Sequence, residues 1–177
     1  MRPGADPARL LAAPNRVVPP LHYQADRVQA EPYLDALRRD GDALCGRADN
    51  SGFAHGDFHS QNLIIGGGEV TGLDFTEAAT KLCVYDIVDF LKEDAQCPAA
   101  PGDLDRSGIR RAMKQMFFKL YRHPVDPAVL GLCLRGRLLI DWLSVTRERF
   151  QATQYYKAQF DRLQMRVQAA FAEPIRA

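Results

Sequence analysis

The sequence lacks the apolar segments that carry a chain into or through a membrane. No run of about 18 apolar residues occurs, so no transmembrane helix is predicted. The first residues, Met-Arg-Pro-Gly-Ala-Asp-Pro, contain no apolar stretch of the kind found in signal peptides. The four cysteines form no C-x-x-C pair, and none lies beside a histidine at the spacing of zinc ligands. Reduced thiols and a cytoplasmic location are therefore expected.

An excess of charge of one sign is missing as well. The chain has 23 Lys and Arg residues against 22 Asp and Glu residues, which gives a net charge of +1. Because there is no basic stripe, no nucleic-acid partner and no membrane partner are predicted, and a helical DNA-binding protein is excluded. The 177 residues, 46% of them apolar, suffice for one domain with a sizeable core.

Proline and glycine mark the expected divisions of the chain. Five prolines fall within residues 1–24, and this density predicts an irregular connector. Two short extended runs, at 62–65 and 69–75, flank Gly66-Gly67-Gly68 and predict a β-hairpin. Residues 25–177 are expected to form a mainly α domain around that hairpin. Apolar residues at helical spacing predict its helices over about 26–45, 85–94, 105–122, 126–150 and 153–172.

Two of the predicted helices carry a proline near their start. Asp126-Pro127 combines a residue that caps free amide groups with one that fits a first helical turn. Pro32 suggests in the same way that the regular part of the first helix begins there. Helix starts are thus expected at residues 126 and 32.

Polar residues are expected to gather at one end of the hairpin. Asp57 lies in the segment that leads into the first strand, Asn62 opens that strand, and Asp74 closes the second. Since the strands fold back on each other at the glycine turn, Asn62 and Asp74 should lie side by side, with Asp57 close to them. Such oxygen ligands suit Mg²⁺, which usually binds carboxylates together with phosphate oxygens. The alternative is that these three residues only form turns.

The same residues resemble the sequence signature of a known family. H-G-D-x-x-x-x-N, followed by a hydrophobic residue, Asp and Phe, is typical of aminoglycoside phosphotransferases and their choline-kinase and homoserine-kinase-like relatives, which share the protein-kinase fold. Here the two strings are His55-Gly-Asp-Phe-His-Ser-Gln-Asn62 and Leu73-Asp-Phe-Thr-Glu77. Protein kinases have H-R-D-L-x-x-x-N and D-F-G instead. Gly56 and Thr76 therefore indicate similarity to the small-molecule kinases and imply the C-terminal lobe of a kinase-like fold.

The resemblance implies a role for each matched residue. Asp57 would orient a substrate hydroxyl and accept its proton, while Asn62 and Asp74 would ligate the Mg²⁺ that accompanies ATP. Three further residues would brace the loops rather than react: His55, His59 and Asp86. The acceptor, a small molecule with a hydroxyl group, would bind between the loops and the C-terminal helices. Weaker candidates for contacts there are Glu77, Asp89, Glu93, Asp141 and Trp142. The acidic side chains in this set would suit a cationic acceptor.

One half of the family's fold is expected to be absent from this chain. Kinases of this type have an N-terminal lobe with a glycine-rich loop over the phosphates and a lysine that binds them. The 54 residues before His55 contain no G-x-G-x-x-G and no lysine, the first lysine being Lys81. A fragment of a longer protein with little activity by itself is therefore expected. The alternatives are a split enzyme, with the lobe on another chain, and a non-catalytic module that binds a partner or a second copy through the face left by the missing lobe.

Overall fold

The computed structural model describes residues 23–175. The connector predicted for residues 1–24 lies almost entirely outside the described residues. The described part is mainly helical, as predicted, with four short strands between its first two helices. Within residues 23–175, no helix is long and apolar enough to cross a membrane. The elements are α1 (Arg27–Leu44), β1 (Ser51–Ala54), β2 (Leu63–Gly66), β3 (Glu69–Gly72), β4 (Ala79–Leu82), α2 (Val84–Lys92), α3 (Arg111–Leu120), α4 (Pro127–Leu143), α5 (Arg147–Ala152) and α6 (Gln154–Ala170).

Helix α1 begins earlier than its proline suggested. The Asp26 carboxylate accepts the backbone N–H of Val28 at 3.1 Å, so the cap lies at residue 26. Pro32 is inside the helix and exposed to solvent. The prediction of a start at Pro32 is wrong, because the cap satisfies the first turn upstream. The hydrogen bond that proline cannot make falls on the exposed side of the helix, where water can serve the freed carbonyl.

Helix α4 starts where the sequence predicted and ends earlier. Asp126 Oδ1 accepts the N–H groups of Ala128 at 2.8 Å and Val129 at 3.3 Å. The helix stops at Leu143, and α5 begins after Thr146, whose hydroxyl accepts the N–H of Arg149 at 3.2 Å. The predicted continuous helix over 126–150 is therefore two helices, since helical spacing of apolar residues continues across the turn between them.

Helix α3 also begins later than residue 105. The Asp105 carboxylate accepts both the N–H of Ser107 at 2.8 Å and its hydroxyl at 2.7 Å. Gly108 follows with φ of +75°, a left-handed conformation that cannot be part of a right-handed α-helix. This turn delays the regular helix until Arg111, and it packs against α4 and α6 through the backbone of Gly108.

The core forms around α4. This helix packs against α1, α2 and α6, and Leu134, Leu138 and Trp142 on it are almost completely buried. A helix that is apolar on several sides is buried on several sides, so α4 acts as the centre of the bundle. Helix α5 packs against α6 beside this bundle.

Two arginines are buried inside this bundle together with carboxylates. Arg135 Nη1 donates to Asp40 Oδ2 at 2.7 Å. Arg166 Nη1 donates to Asp94 Oδ2 at 2.8 Å, and Arg110 Nε donates to Asp94 Oδ1 at 2.6 Å. Burial alone would raise the pKa of Asp94, but the hydrogen bonds from both arginines outweigh it and lower the pKa below its usual range.

The four strands form two nested antiparallel pairs. Strands β2 and β3 pair from Leu63 with Gly72 to Gly66 with Glu69, which confirms the predicted hairpin, although its second strand ends at Gly72 and not at residue 75. Strands β1 and β4 pair outside them, from Ser51 with Leu82 to Ala54 with Ala79. The sequence did not predict this second pair. It brings the entry to the first polar loop, residues 55–62, next to the exit from the second, residues 73–78.

Candidate active site

The first loop folds so that Asp57 and Asn62 touch. The Asn62 amide Nδ2 donates to the backbone carbonyl of Asp57 at 3.0 Å and to its carboxylate Oδ2 at 3.3 Å. A 3₁₀ turn over Ser60–Asn62 closes the loop just before β2. The carboxylate and the amide, five residues apart in the sequence, thus lie side by side at the base of the hairpin.

The second loop starts at the same end of the hairpin. The N–H of Leu73 donates to the carbonyl of Asn62 at 2.8 Å, which extends the strand pairing by one step. Asp74 follows directly, so the structure brings the backbone of Asp57, Asn62 and Asp74 to one place. Hairpin register is the physical reason, because it fixes which residues of two strands are neighbours.

Asp74 has an unusual backbone and an oriented carboxylate. Its φ of 55° and ψ of 68° are left-handed, and it is the one non-glycine residue with positive φ among residues 23–175. Its Oδ1 accepts the hydroxyl of Thr76 at 2.7 Å. The side-chain hydrogen bond from Thr76, followed by the one from its backbone, lowers the pKa of Asp74. Asp74 is exposed, so its ionised carboxylate is accessible from solvent at neutral pH.

His55 links the two loops. Its side chain is 7% exposed, and Nε2 lies 2.7 Å from the carbonyl oxygen of Leu73. Nε2 must carry a proton to donate to that carbonyl, and Nδ1 is buried with no hydrogen-bond partner among the described residues. The ring also packs on Phe75, with centroids 4.4 Å apart. His55 therefore holds the residue before Asp74 in position from beneath.

Asp86, in the first turn of α2, fixes the start of the first loop. Its Oδ2 accepts the N–H of His55 at 2.7 Å, and its Oδ1 accepts the N–H of Gly56 at 2.8 Å. Two charge-assisted hydrogen bonds to consecutive amides leave this backbone little freedom. Each carboxylate oxygen accepts one of these bonds, so Asp86 supports the loop.

Gly56 is required by two features of its surroundings. Its φ is +89°, which side chains rarely adopt. A Cβ atom there would also collide with the carbonyl oxygen of Glu77 and with Nζ of Lys81. The Lys81 ammonium donates to that same carbonyl at 2.8 Å, so the two loops meet at Gly56. Glycine at the second position of His-Gly-Asp thus allows the close contact between the loops.

His59 holds the carboxylate of Asp57. Its Nδ1 accepts the N–H of Gln61 at 3.3 Å, which leaves Nε2 as the protonated nitrogen. Nε2 lies 3.2 Å from Asp57 Oδ2. Asp57 is therefore oriented by two neutral donors, His59 and Asn62, and its side chain remains 43% exposed.

The acidic candidates for an acceptor site are less free than the sequence suggested. Asp89 Oδ1 lies 3.1 Å from Nζ of Lys92. Asp141 lies 3.6 Å from Arg137, and burial raises the pKa of its carboxyl group. Glu93 accepts the hydroxyl of Ser60 at 3.3 Å, beside the first loop. Of this set, only Glu93 touches the loop that carries Asp57.

The two remaining weak candidates, Glu77 and Trp142, lie in different environments. Glu77 is an exposed residue of the second loop, and its backbone carbonyl accepts a hydrogen bond from Lys81 Nζ. Trp142 is 1% exposed and packs edge-on against Tyr33 with centroids 6.0 Å apart, in the core. Trp142 thus lies on the buried side of α4, away from solvent, and its contact with a substrate stays a prediction.

Two contributors were missed by the sequence-based interpretation. Thr76 supplies the hydroxyl that orients Asp74, and Lys81 secures the contact between the loops. The spacing of a hydroxyl residue two positions after an aspartate is a common local hydrogen-bonding pattern, and it could have identified Thr76. No local pattern identifies Lys81, because its contact depends on the pairing of β4 with β1.

The donor atoms at this end of the hairpin fit magnesium. Residues 23–175 contain no group of three or more His, Cys, Asp or Glu side chains with the geometry of a metal site. Magnesium needs no such group, because it takes most ligands from water and phosphates and one or two from the protein. The Asn62 amide nitrogen faces Asp57, which leaves its oxygen for a ligand, and Asp74 has one carboxylate oxygen beyond the Thr76 bond. Both are hard oxygen donors.

Comparison with known proteins identifies the family. No curated protein matches the chain. No solved structure matches it either. The model of the phosphotransferase enzyme family matches residues 1–121, a segment that contains both loops, the hairpin and Asp86. This confirms the resemblance to aminoglycoside phosphotransferases and related kinases. The chain belongs to the phosphotransferase enzyme family.

Proposed function

We propose that this protein transfers the γ-phosphate of ATP, with Mg²⁺, to a hydroxyl group of a small molecule. The observation that supports this most is the meeting of Asp57, Asn62 and Asp74 at one end of the hairpin, inside the segment that matches the family. Phosphoryl transfer needs a carboxylate at the attacking hydroxyl and oxygen ligands for the metal, and little else from this lobe.

In this proposal each loop residue has a separate task. Asp57 accepts the proton of the substrate hydroxyl as the oxygen–phosphorus bond forms and ADP departs. His59 and Asn62 orient the Asp57 carboxylate without neutralising it. Asn62 and Asp74 would hold Mg²⁺, which supplies positive charge for the phosphate oxygens. His55 and Asp86 keep the loops in register.

We also propose that the 177-residue chain turns over slowly by itself. Its sequence has no lysine before Lys81 and no G-x-G-x-x-G before the first loop, so it does not supply the usual phosphate clamp. Contacts to the transferring phosphoryl group are usually the largest catalytic contribution. A positioned base contributes about 10²- to 10⁴-fold, and only when ATP is already in place.

Calorimetry of Mg²⁺–ATP binding, paired with radiolabelled phosphate transfer, tests the proposal. Wild-type protein should bind Mg²⁺–ATP weakly and label a hydroxyl acceptor (an aminoglycoside, choline or homoserine) over hours. Asp74→Asn should weaken the Mg²⁺-dependent binding, and Asp57→Asn should keep binding but abolish transfer. Asp42→Asn on the exposed side of α1 is the matched control and should change neither.

Two results would count against the proposal. Binding of ATP that is independent of Mg²⁺ and unchanged in Asp74→Asn contradicts the metal role. Fast transfer by the isolated chain that survives Asp57→Asn contradicts both the role of Asp57 and the slow turnover.

A second candidate function is a binding or oligomerisation module, and the hairpin surface favours it. Ile65 and Val70 are cross-strand partners and are 79% and 63% exposed. Ile64, on the opposite face of the same strand, is 54% exposed. A hairpin that is apolar and exposed on both faces is suited to be covered by another polypeptide.

Light scattering after size exclusion tests this second function. A dimer that becomes a monomer in Ile65→Lys and Val70→Lys would support oligomerisation through the hairpin. A monomer at all concentrations, with Mg²⁺–ATP binding intact, would leave phosphoryl transfer as the function. The cytoplasmic location stays a prediction under either function.

A further inference from the structure

A cavity of about 340 Å³ lies beneath the first loop, between α1, α2, α4 and β4. Its walls include the apolar side chains of Leu37, Val88, Leu132 and Ile140. Gly56 forms part of its roof, so the cavity reaches the backbone next to Asp57. Its volume lies within the range of about 300–1,000 Å³ that is usual for small-molecule sites.

Two cationic side chains line this largely apolar cavity. They are Lys81, from β4, and Arg137, from α4. Lys81 uses one of its three N–H groups on the Glu77 carbonyl. Arg137 lies 3.6 Å from Asp141 and 3.9 Å from Asp89, distances too long for good hydrogen bonds. Its Nε is buried and has no hydrogen-bond partner among the described residues.

Two carboxylates near the cavity, Asp89 and Asp141, lie between the cations Arg137 and Lys92. Asp89 also lines it, but this carboxylate is 13% exposed and lies 3.1 Å from Lys92. The Tyr85 hydroxyl adds a neutral donor, because burial, with a smaller effect of Cys133, raises the pKa of Tyr85 to about 12. The cavity therefore offers an apolar body, a guanidinium with unused donors and a second cation.

We propose that this cavity binds a small amphipathic carboxylate. The apolar tail would pack on Leu37, Val88 and Leu132, and the carboxylate would pair with Arg137, with Lys81 adding charge. A guanidinium binds a carboxylate through two parallel hydrogen bonds, which an alcohol or an amine cannot reproduce. No nucleotide takes part in this binding, so it stands whether or not the protein transfers phosphate.

Three probes of equal length separate the head group from the tail. Hexanoate, 1-hexanol and hexylamine are titrated into the full chain without nucleotide, and binding is followed by amide shifts in ¹H–¹⁵N spectra. We expect saturable binding of hexanoate with shifts at Gly56, Lys81 and Gly136, at least about tenfold tighter than hexanol. Hexylamine should bind most weakly. Equal affinity for all three, tighter binding of hexylamine, or no saturable binding of hexanoate would overturn the proposal.

Two kinds of variant locate the carboxylate. Arg137→Gln should weaken hexanoate about tenfold and leave hexanol unchanged, whereas Arg149→Gln on exposed α5 should change neither. Ile140 is 54% exposed at the cavity wall, so Ile140→Glu should fold and repel hexanoate, while Ile140→Gln should not. Hexanoate affinity unaffected by both Arg137→Gln and Ile140→Glu would contradict the proposal, and intact amide spectra establish folding in each case.

Discussion

Carboxylates are treated differently in the helical bundle and in the loops. In the bundle, Asp40 pairs with Arg135, and Asp94 with Arg110 and Arg166. In the loops, Asp57 is held by neutral donors, and so is Asp74. An arginine partner cancels the charge of a carboxylate, whereas a hydroxyl, an amide or a neutral imidazole orients it and leaves the charge in place.

The difference in hydrogen-bond partners distinguishes carboxylates that stabilise the fold from those that are proposed to take part in the reaction. A carboxylate that must be buried needs a cationic partner, because an unpaired charge in the core is costly. A carboxylate that must bind Mg²⁺ or take up a proton needs its charge, so a cationic partner would compete with its task. Substitutions in the bundle should therefore act mainly on folding, and those in the loops mainly on ligands.

The largest effect is expected from Arg166→Leu. This change leaves Asp94 buried with only Arg110, and removing one partner of a buried pair costs about 3–5 kcal/mol. Urea unfolding followed by circular dichroism measures it. Arg38→Gln removes an exposed pair with Asp35 and should cost less than about 1 kcal/mol. Similar losses of unfolding free energy in both variants would show that the buried pair stabilises the fold no more than the exposed one.

A smaller loss is expected from Asp86→Asn, at the junction of the two regions. The amide keeps an acceptor for one of the two N–H groups of His55 and Gly56, so the cost should be about 1–3 kcal/mol. Hydrogen exchange should be faster at those two amides than the global change explains. Asp161→Asn on α6 is the control, and uniform exchange in Asp86→Asn would argue against the bracing role.

Alanine substitution at two glycines should change the free energy of unfolding in opposite directions. At Gly56, alanine must adopt φ of +89° and collide with the Glu77 carbonyl, so Gly56→Ala should destabilise by more than about 1 kcal/mol. At Gly136 in α4, a Cβ would meet Leu37 at 3.7 Å, an ordinary contact, so Gly136→Ala should stabilise by about 0.5–1 kcal/mol. Thermal unfolding compares the two, and a gain at Gly56 would contradict the loop geometry.

The smallest effect on folding is expected from Thr76→Val, which should instead change the pKa of Asp74. The Thr76 hydroxyl lowers the pKa of Asp74, so its removal should raise that pKa toward the ordinary value, while the backbone bond remains. Carboxyl ¹³C shifts during a pH titration measure this. Mg²⁺ binding should then be lost at a higher pH as the solution is acidified. An unchanged titration midpoint would mean that the hydroxyl does not hold the carboxylate.

The hairpin is the part of the fold that sequence reasoning predicted best. Glycines at 66–68 and the flanking apolar runs specify it locally, and its register brings Asn62 next to Leu73 and Asp74. The neighbourhood of the candidate site follows from those few residues. The identity of the site therefore depended on local pattern and on hairpin geometry, which sequence carries well.

Other features depend on long-range packing and were not predicted. Strand β1 has only four residues, Ser51–Ala54, one of them glycine, so it shows no clear alternation of apolar and polar residues. Its partner β4 follows both loops in the sequence. The burial of Trp142 follows from the packing of α4 against α1, α2 and α6, which the periodicity of α4 alone does not specify. Lys81 and Arg137 come together in the cavity for the same reason, from separate elements.

The most direct test of the contrast between loops and bundle is paramagnetic broadening by Mn²⁺ in the presence of ATP. Amide signals are recorded in ¹H–¹⁵N spectra as Mn²⁺ is added, and excess Mg²⁺ is then used to compete. We expect selective, Mg²⁺-reversible broadening at Asn62, Leu73 and Thr76, and none at Asp40 or Asp94 in the bundle. Broadening that is absent from the hairpin end, or that persists unchanged in Asp74→Asn, would contradict this expectation.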